Sequence, residues 1–519
     1  MTLYKLAVST ATSALALGIV FAAGSPGQQA LANELDRSAT LVYAHDKSLG
    51  VLDPDQSAAG FPLVIMMPVY DRLIHLDTAT GDLKPGLAES WELLDDGNVL
   101  ELKLRQGVTF HDGEPFDAEA VKANLERSAT LESGRSEARV AVSPIAEIEI
   151  VDEHTVRLHQ AEGAGLNWSL LPPRLTENAG MMISPASLDD PGLDRSPVGA
   201  GPFRFVSYGQ DRVVFERFED YWDPEAVHLQ RLEITEAADP EAHYAGLVSG
   251  QFNLIRLEPQ QVARAEREPG LELQTKDTLV VYHQYLNHSM PPLDDVRVRQ
   301  AFLYGIDREA IVDTLLQGFG VATAQFWPPD YPAYHPDHDM ERYAYDPDKA
   351  RALVEEAGYP DGVDVTFELI NTPDLRVRLG EVVQDMMREV GVNIEYDIVE
   401  HAARGSFLHG ETHSRSGPRS RLDPLDHLAA SLDQDGAFNP GGFTDEKTQE
   451  LLDRAAALPH GEERWEVIRE LSGHVTEQGY VQTYYAEQNV WASRCVVGFE
   501  PPIATYLVFH DVGIEADCD

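Results

Sequence analysis

Along most of the first half of the chain, hydrophobic residues alternate with polar ones over short runs separated by turn dipeptides. After Asp96-Gly97, Leu100, Leu102 and Leu104 alternate with Glu101, Lys103 and Arg105, which predicts a strand with one buried face. Asp112-Gly113 makes a second turn, and Asp117 is placed to cap a helix running through Val121 and Leu125. Ile145–Val151 and Thr155–His159 read as a hairpin around Asp152-Glu153-His154. Phe203–Ser207 and Arg212–Arg217 read as another around Gly209-Gln210-Asp211.

From Asp294 the period changes from two to about 3.6. Asp307 is placed to cap a helix carrying Ile311, Val312, Leu315 and Leu316 on one face. Asp346, Pro347 and Gly358 bracket a second helix with a cap, a first-turn proline and a terminal glycine. Val365–Leu369 then reads as a strand. A helix capped near Asp374 follows it, with Leu379, Val382, Val383, Met386 and Met387 inward. After Gly391, a strand over Ile394–Val399 completes a βαβ unit, so a parallel pair is expected here.

Three blocks in register resemble the extracytoplasmic solute-binding proteins of peptide/nickel-type ABC importers, solute-binding family 5. They are LAESWELLDDGNVLELKLRQGVTFHDGEPFDAEAV (Leu87–Val121), PVGAGPFRFVSYGQDRVVFERFEDYW (Pro197–Trp222) and PLDDVRVRQAFLYGIDR (Pro292–Arg308). The likeness runs from about Leu41 to Val490. It implies an α/β, two-lobed periplasmic binding protein fold of class II, large type, with an extra inserted subdomain. Lobe I is then expected at 33–66, 197–284 and 490–519, the inserted subdomain at 67–196 and the α/β lobe II at 285–489. The chain would cross between lobes near Thr278–Tyr285 and Tyr485–Ser493, with the solute in the cleft between them.

The N-terminus reads as an export signal: Lys5, an apolar core at Leu15–Ala23, and an Ala30-Leu31-Ala32 site with cleavage after Ala32. Polar Ser9, Thr10, Thr12 and Ser13 interrupt the run, and a spanning helix needs about 20 predominantly apolar residues. No cysteine lies nearby, so there is no lipobox, and a soluble periplasmic protein without membrane insertion is expected. Aspartate and glutamate number 87 against 40 lysines and arginines, a formal net charge of −47. Such a balance excludes nucleic-acid binding, which needs a basic footprint, and its even spread reads as a halophilic surface. The two cysteines, Cys495 and Cys518, suggest one disulfide in an exported chain, the alternative being two free thiols.

No nucleophile elbow, phosphate-binding loop or dinucleotide fingerprint occurs, so a secreted hydrolase has no support. The reading is a binding protein that is not an enzyme and carries no cofactor. His409-Gly410-Glu411-Thr412-His413 lacks the order of a zincin motif. His335-Pro336-Asp337-His338-Asp339 reads equally as an acid-rich loop or a mixed N/O metal site, and no metal is assigned.

The resemblance implies that Tyr282, Tyr285, Phe326 and Trp327 fall in pocket-lining segments, with Trp327 as a cleft wall. Asn287 matches an asparagine common in the family, which more often orders the crossover than touches ligand. At Phe407–Pro424, where family members read as an apolar strand ending in "W-S-G-R-x-D-P", Pro418-Arg419-Ser420 stands where Trp-Ser-Gly is usual, and the preceding strand carries His413, Ser414, Arg415 and Ser416 in place of apolar residues. Asp423 matches the acid that pairs with a ligand amino group in peptide-binding relatives. Arg404, Arg415, Arg419 and Arg421 make a local inversion of sign in an acidic chain. It reads either as a basic surface loop or as a cleft segment in which Arg421, helped by Arg419 or Arg415, meets an anionic group of the solute. The expected partners are that small solute, peptide-like or otherwise anionic or zwitterionic, and the permease subunits of an ABC importer, with the protein itself monomeric. A metal chelate or a sugar remains an alternative ligand, and a chemoreceptor an alternative partner.

Overall fold

The structure is a computed structural model. It describes residues 35–46, 48–57, 63–77, 82–131, 136–370, 375–399, 411–419, 423–434, 436, 439, 444–458, 461–503 and 507–518. Its spine is a sheet of eleven strands among the described residues. In spatial order, ten of them are Val392–Val399, Val363–Ile370, Ser414–Arg419, Glu272–Leu286, Val481–Ser493, Leu254–Leu257, Thr40–His45, Arg231–Glu236, Arg212–Arg217 and Phe203–Tyr208. The short Gly320–Ala322 strand pairs with Val481–Ser493.

Two long antiparallel strands at the middle join the two ends of this sheet. Glu272–Asp277 faces Ser493–Gln488 beside the β-rich part, and Val281–Tyr285 faces Ala486–Val481 beside the α/β part. The register slips between Asp277 and Val281, a bulge that bends the strand where the chain passes from one lobe to the other. Beyond it, Val363–Ile370 and Val392–Val399 pair in parallel. The helix Arg376–Glu389 between them buries Leu379, Val383 and Met387. Val382 and Met386 are only partly buried, and Asp374 lies outside the described residues.

The first signature block forms an antiparallel sheet of its own, in the order Ala88–Leu94, Val99–Leu104, Thr155–Gln160, Ile145–Asp152. Leu100, Leu102 and Leu104 are buried as the alternation requires, while Glu101 is buried too and held by Arg157 (2.8 Å) and Lys103 (2.9 Å). Asp117 accepts from Ala120 N and starts the helix Ala118–Thr130, which packs on this sheet.

The other signature residues tie units together. Gly201 lies so close to Pro68 and Val69 that a Cβ would sit 2.6 Å from backbone atoms of both. His111 Nε2 meets Gly201 O at 2.9 Å, and burial pushes the imidazole down to about 4. Trp222 Nε1 and Tyr221 OH both donate to Asp71 Oδ2, at 2.6 and 3.0 Å. Arg299 and Arg308 are buried and donate to backbone carbonyls: Gln478 O and Leu293 O for Arg299, Thr483 O and Leu303 O for Arg308. Burial pushes Arg308 down to about 10. Cys495 and Cys518 are joined in a disulfide, with Cα atoms 5.6 Å apart.

Candidate functional site

Val281 pairs with Arg419 on one side and Ala486 on the other, so the end of Ser414–Arg419 lies at the bend of the crossing strand. The segment the sequence left open between a basic loop and a cleft wall is a strand. Ser414–Arg419 runs inside the sheet, parallel to Val363–Ile370 and antiparallel to Glu272–Leu286. Its Ser414 is fully buried and donates to Tyr285 O at 2.6 Å. Arg415 and Arg419 stand at the register positions of Tyr285 and Val281. The side chains of both, together with Arg404 and Arg421, lie outside the described residues.

Asp423 opens the next helix, Pro424–Leu432, and its Oδ1 accepts from Leu425 N at 2.8 Å. Its carboxylate also takes both Nη groups of Arg464, at 2.8 and 3.0 Å, with each side chain at most 4 % exposed. Bidentate geometry in a dry site makes this a strong pair. Asn287 turns the chain: its Oδ1 accepts from Ser289 N (3.2 Å) and Ser289 Oγ (2.6 Å). Trp327 has no exposed surface. It packs against Phe326, Tyr331 and His427, with ring centroids 5.4–5.8 Å apart, and its Nε1 has no partner among the described residues. Tyr285 is buried in the same cluster, edge-on to His283 at 4.5 Å. Trp327 and Tyr285 are thus brought together on one face of the sheet, with the helix begun by Asp423 packed over them.

On the opposite face a cavity lies between the crossing strand and the start of the helix Arg376–Glu389. Tyr282, Gln284, Leu369, Arg376, Tyr396 and Tyr484 line it; it lies within the α/β lobe and has room for about one water. Gln284 is 2 % exposed and its Nε2 has no partner among the described residues. Arg376, the first residue of a fourteen-residue helix, shares this lining with the amide. Burial raises the Tyr396 hydroxyl well above its ordinary range, which keeps it a neutral donor.

Arg376, Gln284 and Arg464 were not singled out from the sequence. Arg464 had a signal: with Val467, Ile468, Leu471 and Val475 it occupies the apolar stripe of its helix, where a charge needs a buried partner. Arg376 and Gln284 had none. Of the two histidine motifs, His409 and Gly410 lie outside the described residues. His413 Nδ1 accepts from Thr366 N at 3.0 Å, and His338 Nδ1 meets Tyr343 OH at 2.8 Å. No cluster of metal-ligating side chains occurs among the described residues.

Two lobes sharing a sheet through two crossing strands, with an extra unit inserted in the first, are the mixed α/β periplasmic binding protein fold, class II, large type. HbpA2 from Haemophilus parasuis superposes with a TM-score of 0.80 at 25% identity, over 92% of this chain and 100% of that one. Residues 82–417 match the bacterial extracellular solute-binding proteins, family 5, and the chain belongs to that family. It is 28% identical to heme-binding protein A of Haemophilus influenzae over 86% of this chain and 87% of that one. With the glutathione-binding protein GsiB of Escherichia coli strain K12 it shares 30% identity over 73% of each. Members of this family are transport components, and the protein is not an enzyme. No described helix is long and apolar enough to cross a membrane.

Proposed function

We propose that this protein is the periplasmic solute-binding component of an ABC importer, cleaved after Ala32, that captures a small carboxylate-bearing, peptide-like solute between its lobes. The lobes are residues 33–66, 197–284 and 490–519, with 67–196 inserted, against 285–489. The protein acts as a monomer that closes by bending at the two crossing strands and then presents itself to the permease. The observation that carries the ligand class is the excess of positive charge at Arg415, Arg419 and Arg421, in and just after the strand Ser414–Arg419, in a chain of net charge −47. A guanidinium fork matches a carboxylate in shape and charge.

Arg421, with help from Arg419 or Arg415, meets an anionic group of the solute. Trp327 and Tyr285 back this wall from behind, and Asn287 holds the turn that ends the crossing strand. Asp423 is bound by Arg464, so its part is to fix the chain after Arg421. A tripeptide with two carboxylates, such as glutathione, satisfies these groups, which agrees with what the relative GsiB is named for.

The test is a thermal-shift screen of the mature protein against reduced glutathione, dipeptides, opines, heme, neutral sugars and nickel–histidine. Carboxylate-bearing zwitterions should raise the melting temperature. Arg421→Ala should abolish that shift while leaving the unliganded melting temperature unchanged. Tight binding of a neutral sugar with no response to carboxylates would overturn the reading.

A further inference from the structure

Around residues 165–175 the inserted unit reaches across to the α/β lobe. The segment 165–175 is short and helical, and its two faces go to different lobes. Trp168, Leu171 and Leu175 belong to the inserted unit's own core, and Trp168 Nε1 donates to Gly97 O at 2.6 Å. Leu170 points the other way. It is 1 % exposed and sits in the α/β lobe's cluster with Tyr285, Trp327, Leu425 and Leu428. One helical turn further on, on the same side as Leu170, Arg174 Nη2 donates to Asp426 Oδ1 at 2.8 Å. The two side chains are 13 % and 10 % exposed.

Asp426 lies in the first turn of the helix that Asp423 caps, and the Asp423–Arg464 pair fixes that turn against the helix Glu462–Gln478. The receiving carboxylate is therefore held in place before the lobes meet. An apolar knob and a charge-assisted hydrogen bond close together, 252 residues apart in sequence.

We propose that Leu170 and Arg174 of the inserted unit and Asp426 of the α/β lobe form a clasp that holds the lobes together directly, so that the protein populates its closed form before any solute arrives. None of these three residues is among those assigned to the solute. It raises the fraction of closed molecules and tightens binding of every solute by the same factor. This goes beyond the choice of solute. The test contains no ligand, so its outcome is independent of that reading.

The experiment is small-angle X-ray scattering on the mature protein, freed of copurified solute and checked by native mass spectrometry. It compares wild type with Arg174→Gln and Leu170→Ser. Neither variant leaves a buried charge in the open form, where Asp426 faces water, and the wild-type far-UV spectrum verifies the fold of each. Wild type should fit a population with a substantial compact fraction. Each variant should lower the closed-to-open ratio roughly tenfold, the scale of one charge-assisted hydrogen bond or one buried leucine, with a larger radius of gyration. A wild type already as expanded as the variants overturns the proposal. So does an Arg174→Gln protein whose scattering matches wild type.

Discussion

Asp423 and Arg464, 41 residues apart, meet through two parallel hydrogen bonds of 2.8 and 3.0 Å in a site almost closed to water. The same carboxylate caps the helix Pro424–Leu432. Removing one partner would leave a buried charge whose desolvation is no longer compensated. Arg464→Ala should therefore lose about 3–5 kcal/mol of unfolding free energy, read as a lower denaturation midpoint in guanidinium. A loss below ~1 kcal/mol would mean that water reaches this pair.

The Cys495–Cys518 bridge closes a separation of 23 residues and ties the C-terminal tail to the end of the second crossing strand. Mature protein analysed without reductant should contain no free thiol. The Cys495→Ala/Cys518→Ala double variant should lose about 3 kcal/mol on the chain-entropy scale. Two titratable thiols in the unreduced native protein would refute the bridge.

Asp71 makes stability depend on acid. Burial alone would raise its pKa, but His75, Arg72 and the Trp222 indole outweigh that, and the carboxyl is held well below the usual range. Its folded pKa is thus lower than its unfolded value of about 3.9. The stabilisation is complete above the unfolded pKa and is lost as pH falls toward the folded one. Melting temperature should drop on acidification below about pH 4. Asp71→Asn, less stable at neutral pH, should show a shallower drop. An equal slope in both proteins would remove Asp71 as a cause.

With a formal net charge of −47 spread along the chain, self-repulsion opposes compaction at low ionic strength. Raising salt to about 1 M shortens the screening length to about 3 Å, so the melting temperature should climb across that range. A flat response would place this protein with ordinary acidic exported proteins rather than halophilic ones.

The period-2 runs at Val99–Leu104 and Arg212–Arg217 and the capped helices at Asp117, Asp307 and Asp346 were legible because alternation, helical spacing and caps act within a dozen residues. Family membership was legible for a related reason. Its signature residues are structural ties, such as Trp222 on Asp71 and Arg308 on backbone carbonyls, and such ties constrain sequence at fixed positions.

Ser414–Arg419 was legible as a strand only through the family resemblance. Its polar residues and Pro418 argue against a central position, and only its neighbours on both sides hold it there. Arg376 and Gln284 meet at one cavity although 92 positions separate them, and Arg174 meets Asp426 across the lobes. The sequence by itself determined the elements, the family and the two-lobed plan, because each depends on short-range pattern. Which charges face one another across the cleft was decided only by the tertiary structure. Those pairings depend on where the bend at Asp277–Val281 and the packing of whole helices bring distant side chains, and no local spacing encodes that distance.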